Sequence, residues 1–257
     1  MSPLPRRRRT IPGLKQKLDL IYQKINRPEF IPHDPVKFPH RYSPGPDQEI
    51  AAFLAATIAW GRRDLILKSG EKMFALLGKS PYAYVMEGNY RNLDGLCIHR
   101  TFFGGDLKYF CRGLRAYFKR YSSLEPLFAQ APDLWEGIGN FRDAMAGGNH
   151  GVFTKHIANA ASNSACKRLH LALRWLVRRE GPVDLGVWTG ISPSSLYIPL
   201  DLHVGRTARH LGLLENGRKA NDRKAVTILT EKLKKFSSED PVKYDFALFG
   251  YSEAQPF

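Results

Sequence analysis

The sequence predicts an all-α fold, and three observations carry that prediction. Apolar residues recur at helical spacing along most of the chain, as Leu14, Leu18, Ile21 and Ile25 do near its beginning. Few β-branched residues alternate with polar ones over strand-length runs, so little sheet is expected. Glycines interrupt the periodic stretches where helices would end. With 257 residues the chain can bury a sizeable core, in one domain or in two closely packed helical lobes.

The N-terminal region divides into a basic arm, a helix and a connector. Residues 1–12 hold four consecutive arginines among prolines and are predicted to be disordered, either as a solvated tail or as a non-specific phosphate contact. A helix is predicted over residues 14–25. Prolines recur over residues 27–46, which indicates an extended connector laid over the surface.

Two helices are predicted between residues 47 and 78. Asp47 is a candidate cap for the first helix, whose apolar stripe leads to Trp60 and a glycine. The second helix follows from Asp64, and Gly78 is its predicted end.

Residues 79–165 are predicted to be helical throughout, with few motifs. Asp106 opens a helix that is aromatic on one side and basic on the other, and the basic side is either a solvated face or a nucleic-acid contact. The basic side of this helix consists of Arg112, Arg115, Lys119 and Arg120. Two more helical stretches are predicted over residues 133–145 and 152–161.

Lys167 and Asp201 are each predicted at the beginning of a helix. Lys167 opens a basic amphipathic helix, and an apolar run ending in Pro199-Leu200 leads to Asp201. The helix N terminus and the neighbouring Arg168 both disfavour a cation, so we expect the lysine to shift toward its neutral, nucleophilic form where it is partly desolvated. Asp201 is expected to cap its helix and stay ionised. Such a carboxylate can stabilise a developing positive charge.

The C-terminal segment is predicted to contain two further helices. A turn at residues 216–217 precedes a long helix that begins at Asp222, and residues 238–241 cap the last helix. On that helix Asp245 and Phe249 are four residues apart and therefore share a face.

These motifs resemble a known enzyme superfamily. The order of a lysine, an amphipathic helix, "IP-x-D" and a helix opening "x-x-V-x-R" resembles the helix-hairpin-helix DNA glycosylases, most closely the archaeal 8-oxoguanine DNA glycosylase branch, in which the lysine and aspartate are similarly far apart. The run YDFALFG at residues 244–250 resembles the closing helix of the superfamily. The motifs cover residues 47–78 and 165–251. As a whole, from about Leu14 onward, the chain also resembles a bacterial family of conserved proteins without an assigned function.

The resemblance implies a two-lobed helical fold with the active-site cleft between the lobes. The lobes would be about 47–165 and 13–46 plus 166–257, interleaved in a single domain from residue 13 to 257.

The resemblance also implies roles for individual residues. Lys167 would attack C1′ of a flipped nucleotide and Asp201 would stabilise the positive charge on the sugar, giving a glycosylase with AP lyase activity on an oxidised purine such as 8-oxoguanine. In the base pocket, Asp245 would contact the base edge, Phe249 would stack where the archaeal branch has tryptophan, and Pro199 would lie beside them. Without the resemblance, Lys167 is interpreted as a surface cation, Asp245 as a helix-capping carboxylate and Phe249 as a core aromatic residue.

Damaged duplex DNA is the partner that the resemblance implies. Trp60 falls where a residue enters the duplex, although it also reads as a packing aromatic. The superfamily usually has a glycine-containing hairpin before the lysine, whereas residues 159–166 contain no glycine and offer polar side chains that could bind phosphate or cap the helix. The further candidate DNA contacts are Arg62, Arg63, Ser162, Asn163, Ser164, Arg168 and Arg206.

Composition limits the classes of partner and cofactor. The net charge of +15, from 39 Lys+Arg against 24 Asp+Glu, favours a polyanionic partner. The three cysteines lack paired spacing and none follows Cys166, so we expect no disulfide, zinc site, iron–sulfur cluster or other cofactor. No apolar run of eighteen residues and no leader pattern is present, so a cytoplasmic monomer without membrane contact is expected.

Two other functions remain open at this stage. One is a non-catalytic nucleic-acid-binding protein that keeps the glycosylase fold. The other is a metal-dependent hydrolase built on Asp201 and His203 with His150 and His156, although a metal site needs several converging ligands.

Overall fold

The structure is a computed structural model that describes residues 13–215 and 220–254. The predicted basic arm and the turn at 216–217 lie outside these ranges. The described residues are predominantly helical, which confirms the all-α prediction, and a short antiparallel hairpin, β1 (Cys97–His99) and β2 (Phe102–Phe103), accompanies the helices. In this part of the chain no helix is long and apolar enough to cross a membrane.

The described ranges contain eleven α-helices, joined in several places by short 3-10 helices. Their bounds are α1 (Leu14–Ile25), α2 (Pro46–Thr57), α3 (Arg63–Leu77), α4 (Pro81–Glu87), α5 (Gly104–Phe118), α6 (Pro126–Ala129), α7 (Leu134–Gly147), α8 (Lys167–Val177), α9 (Leu202–His210), α10 (Arg223–Lys234) and α11 (Tyr244–Ala254).

Helix α2 lies in the centre of the fold. The sequence predicted one apolar stripe on it, but every residue from Gln48 to Thr57 is buried, because α2 packs against α8, α4 and the connector before it. The predicted cap at Asp47 is also wrong: α2 begins at Pro46, which suits a first turn. The Asp47 carboxylate instead accepts hydrogen bonds from Ser80 Oγ (2.9 Å) and Tyr82 N (2.7 Å) at the start of α4.

The proline-rich connector belongs to the core rather than only to the surface. Its prolines start three successive 3-10 helices, since the fixed φ of proline suits that conformation. Val36 and Phe38 are completely buried, and the Phe38 ring stacks on Phe74 of α3 with ring centroids 4.9 Å apart. Gly70 permits this contact, because a Cβ at that position would lie 2.2 Å from the Phe38 ring.

Residues 152–161 do not form the predicted helix. His150 and Gly151 have positive φ and turn the chain away from α7. The side chains of Thr154 and Asn159 then accept hydrogen bonds from nearby backbone N–H groups, which compete with helix formation, and only a 3-10 turn at Ala160–Ser162 follows.

The helices pack in two sets that α8 connects. Helix α1 packs along α11, which packs on α9, while α5 and α6 pack on α7. Helix α8 lies against α2, and Arg178 just beyond the end of α8 donates a hydrogen bond to the Tyr22 hydroxyl of α1 (3.0 Å). The first residue of α8 is therefore held against α2, while its last turn is tied to α1.

Candidate functional site

A cleft of about 1000 Å³ gathers side chains from distant parts of the sequence. Its walls come from the 3-10 connector, the turn between α2 and α3, and helices α8, α9 and α11. Nine of the thirteen predicted site residues line it, while Ser162, Asn163, Ser164 and Arg168 do not. The nine are Trp60, Arg62, Arg63, Lys167, Pro199, Asp201, Arg206, Asp245 and Phe249.

Lys167 and Asp201 face one another in this cleft. The Lys167 Nζ lies 3.8 Å from Asp201 Oδ2 and donates a hydrogen bond to the carbonyl oxygen of Ala59 (3.1 Å). The other carboxylate oxygen of Asp201 accepts from Val204 N (2.9 Å), which confirms the predicted helix cap. Because both side chains keep about a third of their surface exposed, 28% and 34%, a ligand in the cleft can reach them.

The position of Lys167 follows from the contact between the end of α2 and the start of α8. Cys166 has a left-handed φ of 45° and begins α8 without a side-chain cap. Lys167 and Arg168 then donate to the carbonyl oxygens of Ala59 and Thr57, respectively, near the negative end of the α2 dipole. Arg168 therefore helps to pack α8 on α2, its phosphate contact stays a prediction, and burial lowers the pKa of Arg168.

Asp245 forms a buried ion pair with Arg174 on α8. Desolvation raises the pKa of Asp245 to about 6; Arg174 opposes this shift, and Asp201 adds to it. Arg174 Nε also donates to Asp184 (3.2 Å). A ligand that contacted Asp245 would therefore meet an Asp245–Arg174 pair. Sequence reasoning missed Arg174, although a charged residue inside the apolar run LALRWLV, two helical turns after Lys167, is a signal.

Phe249 lies in the aromatic part of the cleft wall. Its ring meets the edge of Phe30, with centroids 6.2 Å apart and an interplanar angle of 84°. The Arg63 guanidinium carbon lies 4.6 Å from the Phe249 centroid. Pro199 is buried beside the cleft, and Phe249 is partly exposed. This wall can receive a flat, electron-rich group.

Trp60 is a half-buried member of the cleft lining. Its ring meets the edge of His99, with centroids 5.2 Å apart, and the Arg100 guanidinium lies over it at 4.6 Å. His99 Nε2 lies 2.8 Å from the Trp60 carbonyl oxygen, which can only accept, so this nitrogen donates, and Nδ1 is hydrogen-bonded to Ser69 Oγ (2.9 Å). These contacts fix the indole, whose Nε1 is buried without a hydrogen-bond partner among the described residues.

Asp34 is a cleft residue that the sequence did not reveal. It lies in the proline-rich connector, and its carboxylate accepts from Val36 N (3.0 Å). Desolvation raises the pKa of Asp34, while the Val36 hydrogen bond and then Arg174 and Arg63 oppose the shift. No local pattern in the sequence marks this aspartate, and it joins the cleft only because the connector folds onto α2 and α3.

The polar segment before Lys167 uses its side chains for local structure. Asn163 Nδ2 donates to the Asp222 carboxylate (3.1 Å), and Ser164 Oγ accepts from Cys166 N (3.2 Å). Ser162 is exposed but lies outside the cleft lining. Asn163 and Ser164 therefore make contacts within the protein and neither residue caps α8, while their phosphate contacts stay predictions.

The residues considered for a metal-dependent site do not converge. His156 is buried beside Asp106, with Nε2 and Oδ1 3.3 Å apart, whereas His203 lines the cleft with Asp201. Over the described ranges, no group of three or more His, Cys, Asp or Glu residues is positioned to hold a metal ion. Cys97, Cys111 and Cys166 are free thiols.

Comparison with known sequences gives one result. Residues 34–253 match the model of a family described as "Protein of unknown function (DUF2400)". Because the match spans most of the chain, the protein belongs to this family. No curated protein and no solved structure matches the chain.

Proposed function

We propose that this DUF2400 protein is a DNA glycosylase with AP lyase activity that removes an oxidised purine, such as 8-oxoguanine, from damaged duplex DNA. The observation that carries the proposal is the 3.8 Å separation of Lys167 Nζ and Asp201 Oδ2 within one cleft. The proposal includes a two-lobed glycosylase-like arrangement, which is supported by the two sets of packed helices and by a cleft that is lined both by the turn between α2 and α3 and by helices α9 and α11.

The lysine supplies the nucleophile in this mechanism. Neutral Lys167 attacks C1′ while the glycosidic bond breaks. The electron pair of the glycosidic bond leaves with the base, which takes up a proton. Asp201 stabilises the positive charge that develops on the sugar and accepts the proton that the attacking amine loses. Ring opening then gives a Schiff base between Nζ and C1′. Loss of a C2′ proton expels the 3′ phosphate, and water finally releases the lysine.

The cleft also suits a flipped base. Phe249 offers an aromatic ring for stacking, and the Arg63 guanidinium over that ring adds a positive charge to the same wall. The Asp245–Arg174 pair presents both a hydrogen-bond acceptor and donors to the base edge. Arg62 and Arg206 are exposed at the cleft and can contact phosphates.

One observation favours the second candidate, a non-catalytic nucleic-acid-binding protein. Lys167 and Asp201 each have a structural partner, since Lys167 donates to Ala59 O and Asp201 caps α9. In that case both residues could be replaced without loss of DNA affinity.

Borohydride trapping distinguishes the two functions. The protein is incubated with duplex DNA containing 8-oxoguanine or an abasic site, the imine is reduced, and the covalent complex is measured on a denaturing gel. We expect a chelator-resistant band that Lys167→Ala abolishes and that Lys68→Ala, an exposed lysine on α3 outside the cleft, leaves unchanged. Absence of a band across a panel of lesions, with salt-sensitive DNA binding retained, would reject catalysis in favour of the binding protein.

A further inference from the structure

A second concavity, of about 760 Å³, lies between α5 and the turn that follows α4. It shares no lining residue with the cleft, and none of its lining residues is acidic. We call it the basic pocket. Its charged lining residues are Arg91, Lys108, Arg112, Arg115 and Lys119.

Helix α5 and the residue that follows it supply four of these cations from one face. Lys108, Arg112, Arg115 and Lys119 follow one another at intervals of three or four residues, which places neighbours on the same side of a helix. Like charges at this spacing destabilise a helix, so the row costs stability unless an anion offsets it. An acid does approach at one end: the Asp94 carboxylate, whose side chain is 70% exposed, pairs with Lys108, whose side chain is only 14% exposed.

The wall of the basic pocket is built around a fixed guanidinium. Arg115 Nε donates to the Met86 carbonyl oxygen (3.1 Å). Gly88, with a φ of 81°, closes the turn over Arg115, and a Cβ there would lie 2.8 Å from the guanidinium carbon. Gly148, just after α7, lies against the backbone of α5, because a Cβ there would lie 2.5 Å from the Arg112 carbonyl oxygen. Gly88 thus leaves room for the Arg115 guanidinium in the wall of the basic pocket, and Gly148 lets the end of α7 approach α5 closely.

The length of the cationic row indicates the kind of anion. Lys108 and Lys119 are eleven residues apart, or about 16 Å along the helix at about 1.5 Å per residue. A nucleic-acid strand carries one phosphate per nucleotide along its backbone, so a row of this length can meet several phosphates of one strand. A single small anion would span only part of the row.

We propose that the basic pocket binds the backbone phosphates of a nucleic-acid strand, as a contact separate from the cleft. The two sites lie on neighbouring elements. Arg100, in the turn between β1 and β2, lines the cleft, while Arg91 precedes and Lys108 follows the same hairpin and line the basic pocket. The contact is independent of sequence, because phosphates carry no base information.

Two variants of equal charge test this proposal. Arg112→Gln combined with Lys119→Gln neutralises two exposed residues of the basic pocket, whereas Lys24→Gln combined with Lys79→Gln neutralises two exposed lysines outside both sites. Binding of a labelled oligodeoxythymidylate is measured by anisotropy at several salt concentrations. For the pocket variant we expect the slope of log affinity against log salt to shrink by about 1.4, at about 0.7 per lost phosphate contact to a single strand. The control variant should keep the wild-type slope.

Two results would overturn the proposal. Equal slopes in the pocket and control variants would mean that only total charge matters. Inorganic tripolyphosphate, tested by thermal shift, separates a free phosphate compound from a strand. If tripolyphosphate stabilised only proteins with an intact basic pocket while strand binding was unchanged in the pocket variant, the ligand would be a free phosphate compound. Because the cleft is intact in both variants, borohydride trapping at Lys167 is scored separately.

Discussion

The carboxylate of Asp245 on α11 pairs with the guanidinium of Arg174 on α8 inside the wall of the cleft, and both residues are buried. Arg174 also forms an ion pair with Asp184. Asp184 in turn pairs with Arg178, and Arg178 pairs with Asp240. Desolvated charges of this kind are stabilised by their partners rather than by water. The cleft is therefore coupled to an ionic network in the interior of the protein.

Removal of Arg174 should destabilise the protein strongly. Arg174→Met would leave Asp245 and Asp184 without this buried partner, and we expect a loss of about 3–5 kcal/mol in the free energy of unfolding, measured in urea. Arg206→Met, at an exposed arginine of the same cleft, should change it by less than about 0.5 kcal/mol. Equal effects of the two substitutions would contradict the role of the buried network.

Asp245 should make stability depend on pH. Desolvation raises its pKa from 3.8 to about 6 in the folded protein, although Arg174 opposes the shift. Between these pH values the folded state binds more protons than the unfolded state, so the contribution of Asp245 is present below pH 3.8 and is lost as pH rises through about 6.

Comparison with Asp245→Asn isolates this contribution. As pH rises from about 4 to about 7, wild type should lose stability relative to the variant, because only wild type has a group that ionises at this position. The unfolding free energy of wild type minus that of the variant should therefore decrease. The measurement is urea unfolding across that range. A difference that does not vary with pH would show that Asp245 does not titrate there.

Two substitutions of Asp201 separate its cap from its charge. Asn is as good an N-cap as Asp, so Asp201→Asn should leave stability nearly unchanged, whereas Asp201→Ala should cost about 1 kcal/mol. If the carboxylate stabilises the charge on the sugar, both variants should lose base excision, measured in single-turnover assays with 8-oxoguanine duplexes. Wild-type excision by Asp201→Asn would rule out a need for the negative charge.

Substitution of Phe249 should slow the reaction only when the substrate carries a base at the lesion. Stacking on an aromatic side chain contributes about 1–3 kcal/mol per base, so Phe249→Ala should slow excision of 8-oxoguanine by about 10- to 100-fold. Borohydride trapping at an abasic site, which has no base to stack, should remain within about twofold of wild type. Phe153→Ala, at an exposed phenylalanine outside the cleft, is the matched control. Equal losses on both substrates would assign Phe249 to folding.

Local signals in the sequence predicted most helix beginnings correctly. Asp133, Asp201 and Asp222 accept hydrogen bonds from the first turns of α7, α9 and α10, as their positions indicated. A cap acts over three residues, so the sequence contains all the groups that it needs.

Two predicted caps are wrong. The Asp47 carboxylate accepts a hydrogen bond from Ser80 at the start of α4, thirty-three positions away, instead of capping its own helix. Residues 238–241 do not cap α11, because a 3-10 helix without a side-chain cap begins at Pro241 and Asp240 pairs with Arg178.

Most of the candidate site residues were also found in the sequence, but their partners were not. Motif order singled out Lys167, Asp201 and Phe249, all of which line the cleft. Nothing local indicated that Asp34 would join them, or that Arg168 would turn to the carbonyl of Thr57.

The sequence by itself therefore determined the helical class, the main helix beginnings and the residue types available for chemistry, because periodicity and capping depend on near neighbours. Only the tertiary structure decided that Lys167 Nζ lies 3.8 Å from the Asp201 carboxylate and that Arg174 forms an ion pair with Asp245. These relationships depend on how α8 packs between α2 and α11. Such packing arises from burial of apolar surface, which is non-directional and leaves no local mark on the polar residues that it brings together.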